Sequence, residues 1–337
     1  VEADRPLPRR RGPPAAPQLR CGRSRAHGER LRTMFKQSLW ALAAALLFSL
    51  MAAFVKLTSN ELGTLELVFY RSVFGVLSIG FFVLKSGLSV KTPYLWGNIK
   101  RSVLGTLSVA LWFYTLGKLP FGTNMTLIYT TPLFMAANFW ILAIIRHERA
   151  PWALILSIVA GFAGITIVLQ PSFHSEDLIP ALICLSVALV DLAVYWQMKE
   201  LGRLGEPSWR IVFYFTVFGS LFGFAGAWLF EGGMHMPSGM TALGILGMGL
   251  CATLGQICTT RSYAYGNMLL SSCLGFSAIP ISALISFLLF DETVTTTALA
   301  GMSLIIAAGM TASVTTKREE AAQKAKEAAA DVKKTQA

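Results

Sequence analysis

The chain has 337 residues, of which 54% are hydrophobic and only 14% are charged, and its mean hydropathy is positive. Soluble proteins carry about 25% charged residues, and a soluble domain of this size could not bury so much apolar surface, whereas a bilayer can. The composition therefore excludes an ordinary soluble domain and indicates an integral membrane protein.

Charge is concentrated in two tails. Residues 1–33 hold nine Arg, three acids and no Lys, a net of +6 that makes up about half of the formal +11. We expect this segment to be disordered. One interpretation is an arm that binds nucleic acid or serves in targeting. The other, which we favour, is sequence that lies upstream of a true start at Met34. Residues 317–337 are rich in Ala, Lys and Glu and are expected to form a solvated cytoplasmic tail.

The stretch between the tails contains ten apolar runs of roughly 17–25 residues, the length that crosses a bilayer as a helix. Short connections hold most of the turn and charged residues. The predicted fold class is an all-α integral membrane protein with ten transmembrane helices. The spans cover about 38–55, 65–84, 101–117, 123–145, 152–169, 178–198, 209–230, 240–260, 267–290 and 295–315.

An octapeptide occurs twice, as VFYRSVFG at 68–75 and as VFYFTVFG at 212–219, with six of eight positions identical. At the same offset of 144 residues, Gly105 meets Gly249. The chain is therefore predicted to be two diverged copies of one unit, 34–170 and 171–316, with five spans each. Because five is odd, the copies would be inverted in the membrane, as in many secondary transporters.

The orientation is predicted from Lys and Arg in the short loops, which favour the cytoplasmic side. With a cytoplasmic N-terminus, ten such residues lie inside and two, Lys56 and Lys118, lie outside. Both termini are then cytoplasmic, and in a bacterium the membrane is the inner one. The ten inner residues are Lys85, Lys91, Lys100, Arg101, Arg146, Arg149, Lys199, Arg203, Arg210 and Arg261.

Motifs of hydrolytic, nucleotide-binding or redox enzymes are absent from the sequence. It contains no Walker loop, GxSxG, HExxH or Rossmann fingerprint. Its five Cys form no CxxC pair and its four His are scattered, so we expect no metal and no cofactor. Polar residues within the apolar spans are costly in lipid and become the candidate site residues.

Two charged residues, Arg71 and Asp191, lie well inside predicted spans. Arg71 lies about seven residues inside the outer end of span two, opposite Phe215 in the repeat. It could bind an anionic group of a substrate, pair with Glu66, or extend outward to the membrane surface. Asp191 lies deep in span six, opposite Leu47. It could bind a cationic group of a substrate, take up a proton, or bond to a neighbouring helix.

Several uncharged polar residues recur at helical spacing. Ser108, Trp112 and Thr115 share one face of span three, Tyr195 lies one turn after Asp191, and Gln256 lies within span eight. These faces could form the wall of a cavity or ordinary helix contacts.

Proline stands at corresponding places in spans four and nine, as Pro132 and Pro280. Each is predicted to kink its helix, and broken helices at matching places in two halves point to a transport site. A fixed structural kink is the alternative.

Four stretches of the chain are typical of one transporter family. They are ELVFYRSVFG, LWFYTLGKLPFGTNMTLIYTTPLF, ATLGQICTTRSYAYGNMLLSS and FDETVTTTALAGMSLIIAAG after Pro280. Through them, residues 36–316 resemble the drug/metabolite transporter superfamily, specifically its ten-span EamA type. The resemblance implies a basket of ten helices, in two inverted five-helix repeats around a central cavity, that works by alternating access without ATP. It implies gating or charge pairing for Arg71 and Arg261. The residues that it implies on cavity-lining spans are Trp112, Tyr129, Asp191, Tyr195, Gln256 and Ser277.

The predicted function is secondary transport, as an exporter, of a small polar metabolite such as an amino acid, a nucleobase or a related compound. Proton coupling and a homodimer are further expectations. The predicted partners are the small-molecule substrate and the lipid bilayer, and no nucleic acid. A lipid-modifying membrane enzyme would need clustered acids or His near the inner face, where Glu148, Glu200 and Glu206 are separated. A non-transporting membrane scaffold is the other alternative.

Overall fold

A computed structural model describes residues 33–145, 152–169, 177–237, 239–292, 295–311, 314–315 and 318. All regular secondary structure among these residues is helical. The helices are α1 Trp40–Thr58, α2 Thr64–Ser86, α3 Leu95–Leu116, α4 Phe121–Ile128, α5 Thr131–Ile145, α6 Trp152–Leu169, α7 Leu178–Arg203, α8 Ser208–Phe230, α9 Gly239–Tyr265, α10 Met268–Gly275, α11 Ala278–Phe290 and α12 Thr296–Thr311.

Six helical stretches of the described chain are long and apolar enough to cross a membrane. The chain is thus a multi-pass membrane protein. Nearly all of both tails, 1–33 and 317–337, lies outside the described residues, so the expectations for them stay predictions. The six stretches are Thr33–Thr58, Thr64–Ser86, Leu178–Arg203, Ser208–Phe230, Gly239–Tyr265 and Leu270–Phe290.

Large apolar side chains cover the outside of the helical bundle. Leu84, Trp152 and Phe230 are more than 80% exposed. Contiguous apolar surface of this kind is rare on soluble monomers, and lipid is its natural solvent. The apolar exterior and the polar residues described below reverse the usual arrangement of a soluble protein.

The helices of the two chain halves pack in pairs. The most extensive contacts join α1 to α9, α2 to α8, and α3 to α7. Small residues allow close approach: a Cβ on Gly223 of α8 would lie 2.6 Å from the backbone nitrogen of Phe69 on α2. Likewise, a Cβ on Gly164 of α6 would lie 3.0 Å from the carbonyl oxygen of Gly301 on α12. Such contacts are typical of helix packing in lipid.

Two helical stretches are interrupted, and a proline follows each interruption. The first break lies between α4 and α5, and Pro132 is the second residue of α5; the second lies between α10 and α11, and Pro280 is the third residue of α11. Hydroxyls hydrogen-bond carbonyls at both breaks: Thr130 Oγ1 donates to the carbonyl of Leu127, and Ser277 Oγ donates to that of Leu274, each at 2.7 Å. Proline removes a backbone donor, and at the first break Thr131 Oγ1 donates at 3.2 Å to the carbonyl of Ile128, which the nitrogen of residue 132 would otherwise bond.

Candidate functional site

The helical bundle contains a cavity of about 70 Å³. Its wall combines residues of α1, α2, α3, α7, α8 and α9 with the break between α4 and α5. Residues from both halves of the chain therefore face one space. The cavity is lined by six of the eight residues that the sequence analysis assigned to substrate binding or charge pairing: Arg71, Trp112, Tyr129, Asp191, Tyr195 and Gln256.

One face of α3 forms a continuous part of the wall. Arg101, Gly105, Ser108 and Trp112 follow each other at spacings of four, three and four, which aligns them on one side of a helix. The indole nitrogen of Trp112 donates to Asn124 Oδ1 at 2.9 Å. This buried bond fixes the plane of the indole against the cavity.

Helix α7 presents an acid and an aromatic ring on the opposing side. Asp191 and Tyr195 are separated by one turn and both line the cavity. Ser108 Oγ on α3 donates to Asp191 Oδ1 at 2.5 Å, so the carboxylate joins α3 to α7. The ring of Tyr195 stacks on that of Tyr263, with centroids 4.0 Å apart and planes 10° from parallel. The aromatic pair keeps Tyr195 in a defined orientation.

Arg71 points inward from α2. Its side chain is 3% exposed, so it does not extend to the membrane surface. Its Nη2 donates to Gln256 Oε1 on α9 at 3.2 Å. Glu66, the other partner considered from sequence, instead accepts from the backbone and ring nitrogens of His235. Arg71 is therefore available to the cavity.

Arg101 is a site residue that the sequence analysis missed. Counted there among cytoplasmic loop residues, it lies inside α3, is 1% exposed and lines the cavity. The apolar run predicted span three from residue 101, whereas the helix begins at Leu95. The signal that could have identified Arg101 is its register with Ser108 and Trp112.

Two predicted residues are not among those that line the cavity. Ser277 bonds its own helix break, as described above. Arg261 lies farther along α9, where its Nε donates to Gln37 Oε1 at 2.7 Å and its guanidinium lies 4.9 Å from the Trp40 ring centre. A gating role for Arg261 stays a prediction.

The arrangement can bind a small polar molecule. The wall offers two guanidinium groups, one carboxylate, an amide and several aromatic faces. Such a cavity within a multi-pass helical protein is typical of membrane transporters of small molecules.

Comparison with known proteins agrees with this class. Residues 36–170 match the EamA-like transporter family, which confirms the resemblance for that part of the chain. The pseudopaline exporter CntI of Pseudomonas aeruginosa is 25% identical over 280 residues, which are 83% of this chain and 96% of that protein. The S-adenosylmethionine uptake transporter of Rickettsia prowazekii is 25% identical over 191 residues, which are 56% of this chain and 62% of that protein. These relatives are named as transporters and not as enzymes.

A solved crystal structure shares the fold. It superposes with a TM-score of 0.63 at 18% sequence identity, covering 83% of this chain and 99% of the solved one. The helical arrangement is therefore one that an experimental structure also contains.

Proposed function

We propose that this protein is a secondary transporter that exports a small polar metabolite, such as an amino acid, a nucleobase or a related compound, by alternating access. The observation that carries the proposal is the cavity between the helices, to which both halves of the chain contribute charged and aromatic residues. The relatives include both an exporter and an uptake transporter. Export is the direction that we favour from the resemblance.

The proposed architecture has ten spans in two inverted repeats, 34–170 and 171–316. The helix pairing fits it: α1 and α3 would be the first and third spans of one half, and α7 and α9 those of the other. Exchanging the halves converts the α1–α9 contact into the α7–α3 contact, and both are extensive. The two proline-associated breaks exchange in the same way. Both termini would be cytoplasmic, in a bacterial inner membrane.

Asp191 is the proposed coupling residue. It is the acidic residue of the cavity wall, and Ser108 holds it within a hydrogen bond of α3. A carboxylate that binds a proton on one side of the membrane and releases it on the other would couple the helix rearrangement to the proton gradient.

Transport by the purified full-length protein in liposomes tests the proposal. Vesicles loaded with a mixed metabolite extract would be assayed by mass spectrometry for compounds lost under an imposed pH gradient. We expect loss of at least one polar metabolite by the wild type. Asp191→Asn should remove the pH dependence. Glu200→Gln, which changes an exposed acid on the same helix, should not. Retention of every compound by the wild-type vesicles would refute transport.

A further inference from the structure

Two guanidinium groups share the cavity with the face of one aromatic ring. The guanidinium carbon of Arg101 lies 4.3 Å from the centre of the Phe215 ring, and that of Arg71 lies 5.1 Å from it. Both arginines are at least nine-tenths buried and line the cavity. The ring holds the two cations near each other by cation–π attraction.

Donor atoms of both groups have no acceptor in the described part of the protein. They are Nε and Nη1 of Arg101 and Nε of Arg71. Within the same residues, no carboxylate lies within 4.0 Å of either guanidinium. Burying a charge without a partner is expensive. The bundle thus presents two cations and pairs neither of them directly with a carboxylate.

Gly105 shows that space is kept for one of these cations. A Cβ at this position would lie 2.2 Å from Nη1 of Arg101, closer than any real contact. The guanidinium therefore occupies the volume that a side chain at position 105 would fill. Its position in the wall depends on a glycine one turn along the same helix.

The charges of the wall are unequal. Arg71, Arg101 and Asp191 together leave a net charge of +1 around a cavity of about 70 Å³. A guanidinium binds a carboxylate through two parallel hydrogen bonds, and a carboxylate such as that of Asp191 binds an ammonium group.

We propose that the substrate is an amino acid derivative whose acidic groups outnumber its amines: its carboxylates bind Arg101 and Arg71, and its amine binds Asp191. This inference rests on the proposed function, since it names the substrate class of the same cavity. An uncharged nucleobase or a cationic amine would leave the guanidinium groups unpaired. A phosphate dianion has no amine to pair with Asp191 and would be repelled by its carboxylate.

Ligand-induced stabilisation of the purified full-length protein tests this proposal. Thermal unfolding would be recorded with L-glutamate, an N-carboxymethyl amino acid, L-alanine, putrescine, adenine and glycerol 3-phosphate. We expect the two compounds with two carboxylates and one amine to bind most tightly and L-alanine to bind more weakly. Putrescine and adenine should not bind.

Variants connect the binding to the guanidinium groups. Arg101→Gln should weaken carboxylate binding about 10- to 100-fold, because it removes charge-assisted hydrogen bonds. Gly105→Ala, which keeps the charge but displaces the guanidinium, should weaken it as well. Lys100→Gln removes a neighbouring exposed cation and should have no effect. If Arg101→Gln does not fold, Gly105→Ala and Arg101→Lys carry the comparison.

Several outcomes would overturn the inference. They are binding of none of the carboxylates, tightest binding of putrescine, adenine or the phosphate ester, and equal carboxylate binding by wild type, Arg101→Gln and Gly105→Ala. The liposome assay separates this failure from that of the proposed function. Export of an uncharged or cationic compound that Arg101→Gln leaves unchanged would preserve transport and refute the substrate class. Arginine-dependent binding of a carboxylate that is not moved across the membrane would support the substrate class and refute transport.

Discussion

Arg101 places its guanidinium carbon 4.3 Å from the centre of the Phe215 ring, across the contact between α3 and α8. Phe215 is also the residue that stands opposite Arg71 in the duplicated octapeptide. The asymmetry of the two copies therefore has a structural consequence. Where the first copy supplies a cation, the second supplies the ring that receives two cations, and the charge of the wall is concentrated on one side.

Phe215→Leu should weaken both the fold and the binding site. Phe215 is 2% exposed, so the substitution removes core contacts and a desolvated cation–π surface. We expect a loss of about 1–3 kcal/mol in the free energy of unfolding, measured by denaturant titration in detergent. Phe222→Leu on the same helix changes a 38% exposed ring and is the control. Equal losses in the two variants would contradict this account.

A carboxylate from one half of the chain caps a helix of the other. Glu231, at the end of α8, accepts hydrogen bonds from the backbone nitrogens of Leu65 at 2.9 Å and Glu66 at 3.0 Å, in the first turn of α2. Glu231→Gln should cost about 1–2 kcal/mol, since it removes a negative charge from a helix N-terminus. Thermal unfolding of the purified variant measures this loss.

Gly63→Ala should reproduce that loss by a different route. A Cβ on Gly63 would lie 2.2 Å from Oε2 of Glu231 and would displace the carboxylate from the helix. The double variant with Glu231→Gln should then be little less stable than either single variant. Gly80→Ala in the same helix meets no atom within 4 Å and should be neutral or mildly stabilising. Additive losses in the double variant would show that the two substitutions act independently.

Much of the cavity was predictable because its side chains recur at helical spacing or are too polar for lipid. Asp191 and Gln256 are identified by the free-energy cost of placing a polar side chain in lipid. Trp112 is identified by its helical spacing from Ser108. Arg101 was missed because an apolar run marks where hydrophobic residues begin, not where the helix begins. The helix extends six residues further toward its N-terminus, to Leu95, and this carries Arg101 inside.

Partner choice could not be read from the sequence. Arg71 and Glu66 lie five residues apart and look like a pair, yet Arg71 bonds Gln256 on α9 and Glu66 bonds His235 before α9. These partners are set by how α2 packs on α9, which no local pattern encodes. The duplicated octapeptide indicates that the halves are related, but not which rings and cations meet between them.

Close packing of α6 on α12 predicts sensitivity at Gly164. A Cβ there would lie 2.8 Å from Cγ1 of Ile305 and 3.0 Å from the carbonyl oxygen of Gly301. Gly164→Ala should separate the helices and cost about 1–3 kcal/mol. Ala163→Val adds volume at the neighbouring exposed position and should leave the stability unchanged. A Gly164→Ala variant as stable as the wild type in denaturant titration would show that these helices do not pack through this glycine.

Glu292 should make the stability of the protein depend on pH. It follows α11, pairs with Lys56 of α1 at 2.8 Å, and accepts from the backbone nitrogens of Phe121 at 2.9 Å and Gly122 at 3.3 Å, at the start of α4. Ser286 donates to it as well. Burial alone would raise the pKa of this carboxyl, but hydrogen bonds from Lys56, Ser286 and Phe121 outweigh burial and lower the pKa below its ordinary value of 4.5.

A carboxyl whose pKa is lower in the folded state stabilises that state above its unfolded pKa, and the contribution disappears as the pH falls through the folded pKa. Glu292→Gln should therefore lower the free energy of unfolding by about 1–3 kcal/mol at pH 7. The gap to the wild type should stay constant down to about pH 5 and close below the ordinary pKa of 4.5. Asp291→Asn, at an exposed left-handed position (φ 49°) that Asn tolerates, is the matched control. A gap that persists unchanged to pH 3, or none at pH 7, would show that the Glu292 carboxylate does not stabilise the junction of α1, α4 and α11.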